Sequence, residues 1–162
     1  MGRSAAILTQ EFSQHPPRGN TWPELLRHLA HTNRRALMRY RDGAQVLAHA
    51  NMPQDVMFRG MERLLHSLTA QGFSVELAMD SFFVVVRFTI GCVFEEQADP
   101  RTRSGDKTAR RAHLQQNVQR YPVVAKAMMQ RADHDEDWQF QRGLDIILAG
   151  IATQLDEASK VA

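Results

Sequence analysis

One cysteine, Cys92, stands among 162 residues. No intramolecular disulfide is possible, and a lone thiol inside an apolar stretch suits a reducing cytoplasm. The chain also lacks an excess of one charge. Lys and Arg number 20 against 18 Asp and Glu, for a net charge of +2. That is well short of the basic bias of a dedicated nucleic-acid binder. The opening MGRSAAILTQEF holds a single arginine and a very short apolar run, with neither a secretory core nor a small-residue cleavage site. Ala6 breaks a myristoylation pattern. The longest apolar run, within Ser81–Gln97, is interrupted by Arg87 and Thr89. It falls short of the roughly 18 residues a spanning helix needs, so no membrane partner is expected. P-loop, G-x-S-x-G, H-E-x-x-H and dinucleotide-binding glycine patterns are all missing. No catalytic residue is nominated, no cofactor is expected, and the chain does not read as an enzyme.

What remains is one domain, long enough to bury a core, with 43% hydrophobic and 23% charged residues. Helix signals recur along it. In TWPELLRHLAHTNRRALMRYRDG, Thr21 and Glu24 have capping-box spacing, and Pro23 falls in the first turn. Leu25, Leu26, Leu29, Ala36, Leu37 and Tyr40 recur at helical spacing. A second helical piece is expected around Ala44–Ala48. NMPQDVMFRGMERLLHSLTAQG repeats the pattern, with a stripe of Met57, Met61, Leu64, Leu65 and Leu68 and a stop at Gly72.

Ser74 caps the next segment, from Val75 to about Gln97. It is rich in β-branched and aromatic residues, which favour strands. Yet Phe82–Val86 is continuous and shows no alternation of period two. The polar residues Glu76, Asp80, Arg87 and Glu95 instead share one narrow helical stripe. The segment therefore reads as a helix needing cover on most of its surface. Residues 98–117 are polar and charge-rich, a mobile loop by composition. YPVVAKAMMQRA reads as a short helix. A last long helix over about 135–157 begins in acidic residues that suit its dipole and carries Phe140, Leu144, Ile147, Ile151 and Leu155 on one face. Gly143 and Gly150 disfavour helix and point to the close approach of another helix. The fold class is thus all-α. Helices 75–97 and 135–157, packed against their symmetry mates, would form a four-helix-bundle homodimer interface.

Four blocks, WPELLRHLAHTNRRALMRYRDGAQV, AQGFSVELAMD, RFTIGCVFEEQ and FQRGLDIILAGI, resemble in order and spacing the C-terminal regulatory domain of the tetracycline-repressor (TetR) family. The resemblance runs from about Trp22 to Leu155 and makes 1–162 a single regulatory domain. It implies an all-helical dimer holding a small-molecule effector in each subunit. It also implies control of an N-terminal helix-turn-helix that this chain lacks, so operator DNA is a partner only through that missing domain. The family namesake's drug-and-metal site is not kept. Its magnesium-binding histidine corresponds to Leu47, and its polar drug contacts to Leu29, Ala50 and Leu64. An aromatic pocket position corresponds to Asn33. The acidic residue linked to the metal through water is kept as Glu95. Magnesium-tetracycline is therefore not the expected effector; a small apolar or aromatic molecule is.

The nominated ligand-binding residues are Leu29, Asn33, Leu47, Ala50 and Leu64 by that correspondence, and Met57, Met61, Phe83, Val86 and Arg87 by helix-face reasoning. Asn33 reads either as a ligand hydrogen bond or as a polar group satisfied by backbone or water. Arg87 either contacts an anionic or carbonyl-bearing effector or, as the favoured reading, pairs with Asp80, Glu95 or a partner-chain acid. His28 and His31 have a spacing that can serve a metal, but no nearby carboxylate or cysteine completes the set, and no metal is expected. The alternative function is a stand-alone helical ligand-binding protein without a DNA-binding domain.

Overall fold

The computed structural model describes residues 18–40, 54–98, 115 and 118–161, with only the backbone described for 54–57 and 161. Every regular element among the described residues is helical. In chain order they are α1 (Trp22–Met38), α2 (Gln54–Thr69), α3 (Val75–Ala98), α4 (Pro122–Ala132) and α5 (Glu136–Val161). The helical piece expected around Ala44–Ala48 lies outside the described residues, as does the 98–117 loop apart from Ala98 and Gln115.

The helix ends follow the local chemistry. Glu24 reaches back at the start of α1, accepting from the backbone N–H groups of Asn20 (2.8 Å) and Thr21 (3.1 Å). Those two bonds hold its carboxyl below the usual range. Beyond α2, Gly72 takes φ +93, a left-handed conformation that glycine adopts without a Cβ penalty. The Phe73 N–H then donates back to the Leu68 carbonyl at 3.3 Å, and both side chains are buried in the same core. This is a Schellman-type stop with its hydrophobic contact. Ser74 Oγ accepts from the Leu77 N–H (3.1 Å) to open α3, and Asp135 Oδ1 from the Trp138 N–H (2.8 Å) to open α5. The last helix continues to Val161, past the expected end near 157, because no glycine or proline follows Gly150 to stop it.

α1, α2 and α5 all pack on α3. The main apolar cluster joins Leu25, Leu26, Leu64, Leu68, Val85, Phe140 and Leu144, with Phe82, Phe88 and Ile147 against its edge. Length and composition alone would let α3 cross a membrane, with a mean hydropathy of 1.8. This corrects the expectation from uninterrupted apolar residues, because the average over the helix tolerates Arg87. Its inner face serves as the seam on which three other helices rest.

One protomer covers less of α3 than the sequence pattern asks. Glu76, Asp80, Arg87 and Glu95 are exposed, but so are Phe83, Val84 and Phe94 on the same side. The outward stripe is therefore a mixed apolar and charged surface rather than a thin polar edge. Two hydroxyls lie on the inner side. Thr89 Oγ1 donates to the Val85 carbonyl at 2.8 Å. Ser81 Oγ is buried without a partner, and an orphaned buried hydroxyl costs about 1–3 kcal/mol. Ser81→Ala is accordingly expected to raise stability by about 1 kcal/mol, read as a higher urea midpoint at unchanged slope. A lower midpoint would mean that the hydroxyl has a partner after all.

α1 and α5 are bridged by polar side chains. Arg27 pairs with Asp145, His31 Nε2 donates to Gln141 Oε1, and Arg34 pairs with Asp137. The rungs ascend α1 while descending α5, forming an antiparallel ladder. Gln141 Nε2 also donates to Asp145 Oδ1 at 2.9 Å. The hydrogen bond from Arg27 holds the Asp145 carboxyl below its ordinary range.

Candidate functional site

Two regions carry candidate residues. The first follows the sequence nominations. On α1, Leu29 is half-buried against the main core and Asn33, one turn on, is 6% exposed. On α2, Met61 and Leu64 are buried. Val86 of α3 is half-buried. Leu64 belongs to the main apolar cluster and Leu29 packs against that cluster. Phe83 and Arg87 stand apart, on the exposed face of α3. The Arg87 guanidinium lies 4.9 Å from the Phe83 ring centroid. Among the described residues Arg87 makes no ion pair, which corrects the favoured pairing with Asp80 or Glu95; those acids are exposed and reach solvent. Leu47 and Ala50 lie outside the described residues, and only the backbone of Met57 is described.

The second region is a half-open cavity of about 400 Å³ between the C-terminal half of α3, α4 and the start of α5. None of the nominated residues whose side chains are described lines it. Its floor is aromatic: Phe88 and Phe140 stack with centroids 5.3 Å apart and planes at 22°. Gly143 makes this possible, since a Cβ there would stand 2.6 Å from the tip of Phe88. The close approach expected at Gly143 is thus a ring of the same chain's α3. Gly150 faces open space in one protomer.

Behind the floor sits an ion-pair cluster. Arg34 is bidentate on Glu96, with Nε–Oε1 at 3.2 Å and Nη2–Oε2 at 3.1 Å. Its guanidinium also lies 4.9 Å from the Phe140 centroid. Next along α3, Gln97 Nε2 donates to the Leu37 (3.2 Å) and Tyr40 (2.8 Å) carbonyls, satisfying the end of α1. Cys92 lies in the cavity wall. Burial first, then Glu96 and Glu95, push its thiol up to about 11. The thiolate is scarce near neutral pH, and the group is a poor nucleophile.

The sequence reading missed this cavity because α4 forms one wall and nothing in its residues fixes where α4 docks. The available signal was Gly143, whose lack of a side chain already asked for a close neighbour. For metal chemistry, His31 is engaged with Gln141, and His28 Nδ1 lies 3.5 Å from Thr32 Oγ1. Among the described residues no group of three or more His, Cys, Asp or Glu converges as a metal site.

A helical domain hung on one apolar helix, with a buried amide on its first helix, is the class of structure these features define. The family model described as "Tetracyclin repressor-like, C-terminal domain" matches residues 15–155, and the chain belongs to that family. Tetracycline repressor protein class D of Escherichia coli is 31% identical over 156 residues, spanning 93% of this chain and 68% of that protein. The solved structure of TetR (class A) in complex with 5a,6-anhydrotetracycline and magnesium has a TM-score of 0.65. It is 27% identical and aligns over 92% of this chain and 71% of that one. The Streptomyces coelicolor TetR family protein ActR, solved in complex with actinorhodin, has a TM-score of 0.74 at 23% identity. It aligns over 93% of this chain and 73% of that one, a likeness of fold.

Proposed function

We propose that this chain is the small-molecule-sensing and dimerisation domain of a cytoplasmic TetR-family transcriptional regulator. The family match over residues 15–155 carries this reading. The effector pocket lies between α1, α2 and α3 and is lined by Leu29, Asn33, Met61, Leu64 and Val86. Leu47, Ala50 and Met57 complete it by correspondence and helix position. Asn33, buried beside an apolar cluster, supports a pocket that is mostly apolar with one convergent polar group. The effector is a small apolar or aromatic molecule. Leu47 in place of a metal-binding histidine supports an effector other than tetracycline with magnesium, in contrast to the class A relative solved in complex with 5a,6-anhydrotetracycline and magnesium.

Phe83, Val84 and Phe94 on α3 and Ile146 on α5 are exposed in one protomer. With Gly91 and Gly150 opening room between them, they form the homodimer interface. Phe83 and Arg87 then act at that interface or at a pocket edge shared with it. The effector works by population shift, preferring one arrangement of the helices that carry a DNA reader.

The test is a thermal-shift screen of uncharged aromatic compounds, with tetracycline plus magnesium alongside. Stabilisation by an uncharged compound, insensitive to EDTA and weakened about tenfold by Asn33→Leu, is expected; one lost hydrogen bond in a dry pocket is of that order. Tight magnesium-dependent binding of tetracycline would overturn the effector class. A monomer by light scattering at micromolar concentration would overturn the dimer.

A further inference from the structure

Asn33 lies in the interior of α1, where asparagine is a poor helix former. It is 6% exposed, yet its amide forms no hydrogen bond among the described residues. Buried amides are nearly always paired. The small remaining exposure takes in the amide oxygen and nitrogen, neither of which is sealed as the Ser81 hydroxyl is. The amide therefore opens onto space instead of being locked into a packed seam.

Its surroundings do not supply the missing partner. One turn away on α1 stand Leu29, Ala30, Ala36 and Leu37, all apolar. Leu37 shares a cluster with Val93 of α3, so one turn earlier on each helix Asn33 and Thr89 meet the same seam. Thr89 spends its proton on the Val85 carbonyl at 2.8 Å. The guanidinium next in sequence, Arg34, is engaged with Glu96 and Asp137, and Arg35 is exposed. Neither balances a carboxylate at the amide, and burying an unpaired charge costs far more than burying a neutral group.

We propose that the effector presents a neutral lactam or carboxamide edge to Asn33, with an N–H and a carbonyl side by side on an aromatic body; this rests on the α1–α2–α3 pocket proposed above. A primary amide shows its own oxygen and one N–H side by side. A lactam edge meets both at once, donating to Oδ1 and accepting from Nδ2. A ketone or an ether only accepts, which leaves Oδ1 unpaired among apolar side chains. Sites that pair a polar group discriminate strongly against analogues lacking it.

The test titrates three probes into the protein by fluorescence: 2-quinolinone, 1-methyl-2-quinolinone and 2-naphthoate. The first carries donor and acceptor side by side, the methyl group of the second removes the donor, and the third is an anion of like size. 2-Quinolinone is expected to bind about tenfold more tightly than its N-methyl analogue, the scale of one hydrogen bond in a dry pocket, and more tightly than 2-naphthoate. In Asn33→Leu the two quinolinones should bind within about twofold of each other, which separates the hydrogen bond from the bulk of the methyl group. Leucine suits the apolar seam, and an unchanged helical circular-dichroism signal checks the fold. Ser81→Ala, which alters a polar group sealed elsewhere in the core, should leave the tenfold ratio in place.

A ratio near one in the unaltered chain would overturn the assignment and leave the amide to a bound water. So would a ratio that survives Asn33→Leu, or 2-naphthoate binding as tightly as 2-quinolinone. If no probe binds while other uncharged aromatic compounds stabilise the protein, the lactam class falls and the pocket stands. If none of those compounds binds either, both fall.

Discussion

Replacing Phe140 with alanine is expected to destabilise the protein by about 4 kcal/mol, the usual range for truncating a buried aromatic being about 3–5 kcal/mol. Phe140 is 1% exposed and serves three neighbours at once. Its ring stacks on Phe88, takes the edge of His31 with centroids 5.5 Å apart, and carries the Arg34 guanidinium on its face. Alanine would open a void where α3 and α5 meet, and no neighbouring side chain is positioned to fill it without leaving its own partner. Phe140→Leu keeps most of the volume and should cost about half as much. Urea unfolding of both variants gives the measurement. A loss under about 1 kcal/mol for the alanine variant would mean that the seam collapses freely and that the aromatic stack is incidental.

The second large effect is expected at Glu96. Its side chain is 10% exposed and that of Arg34 15%. Glu96→Ala would strand a largely buried guanidinium with Asp137 as its remaining acid, on a side chain 82% exposed. Breaking a buried pair from one side typically costs about 3–5 kcal/mol; the surviving contact to Asp137 argues for the lower end. The double variant Arg34→Met/Glu96→Leu should recover most of the loss, because it removes the desolvation penalty together with the attraction. If the double variant is as unstable as Glu96→Ala, the cause lies in packing rather than in an uncompensated charge. Raising salt should change the Arg34–Glu96 coupling little. The Arg27–Asp145 pair, more than a third exposed on both sides, should weaken as salt is raised.

The helices were legible in the sequence because their punctuation is local. Thr21 with Glu24, Gly72, Ser74 and Asp135 each act within a few residues of where they stand, and the boundaries fell close to them. The helical state of Val75–Ala98 was legible from the spacing of its charges. The side of that helix left uncovered was not. Phe82–Val86 is apolar throughout, so only packing decides that Val85 is buried while Phe83 and Val84 are not. Among the nominated pocket residues, Leu29, Asn33, Met61 and Leu64 come from two helices whose apolar stripes were clear, and all are wholly or partly buried. Phe83 and Arg87 rested on a face assignment that the α3 pattern does not contain. Arg34–Glu96 and Arg34–Asp137 join residues 62 and 103 apart in sequence. No local signal announces such pairs, and the same holds for the cavity they back.

The ladder between α1 and α5 adds something that volume cannot. Grease against grease tolerates sliding by one helical turn, since another leucine arrives where the first one left. Charges do not. A one-turn slip in one direction would set Arg27 opposite Ala149, with its carboxylate stranded a turn away. The rungs thus work as a key that admits a single alignment of the first helix against the last. Any motion relayed between those helices must then proceed as a tilt or an unlocking of whole rungs, not as a smooth glide.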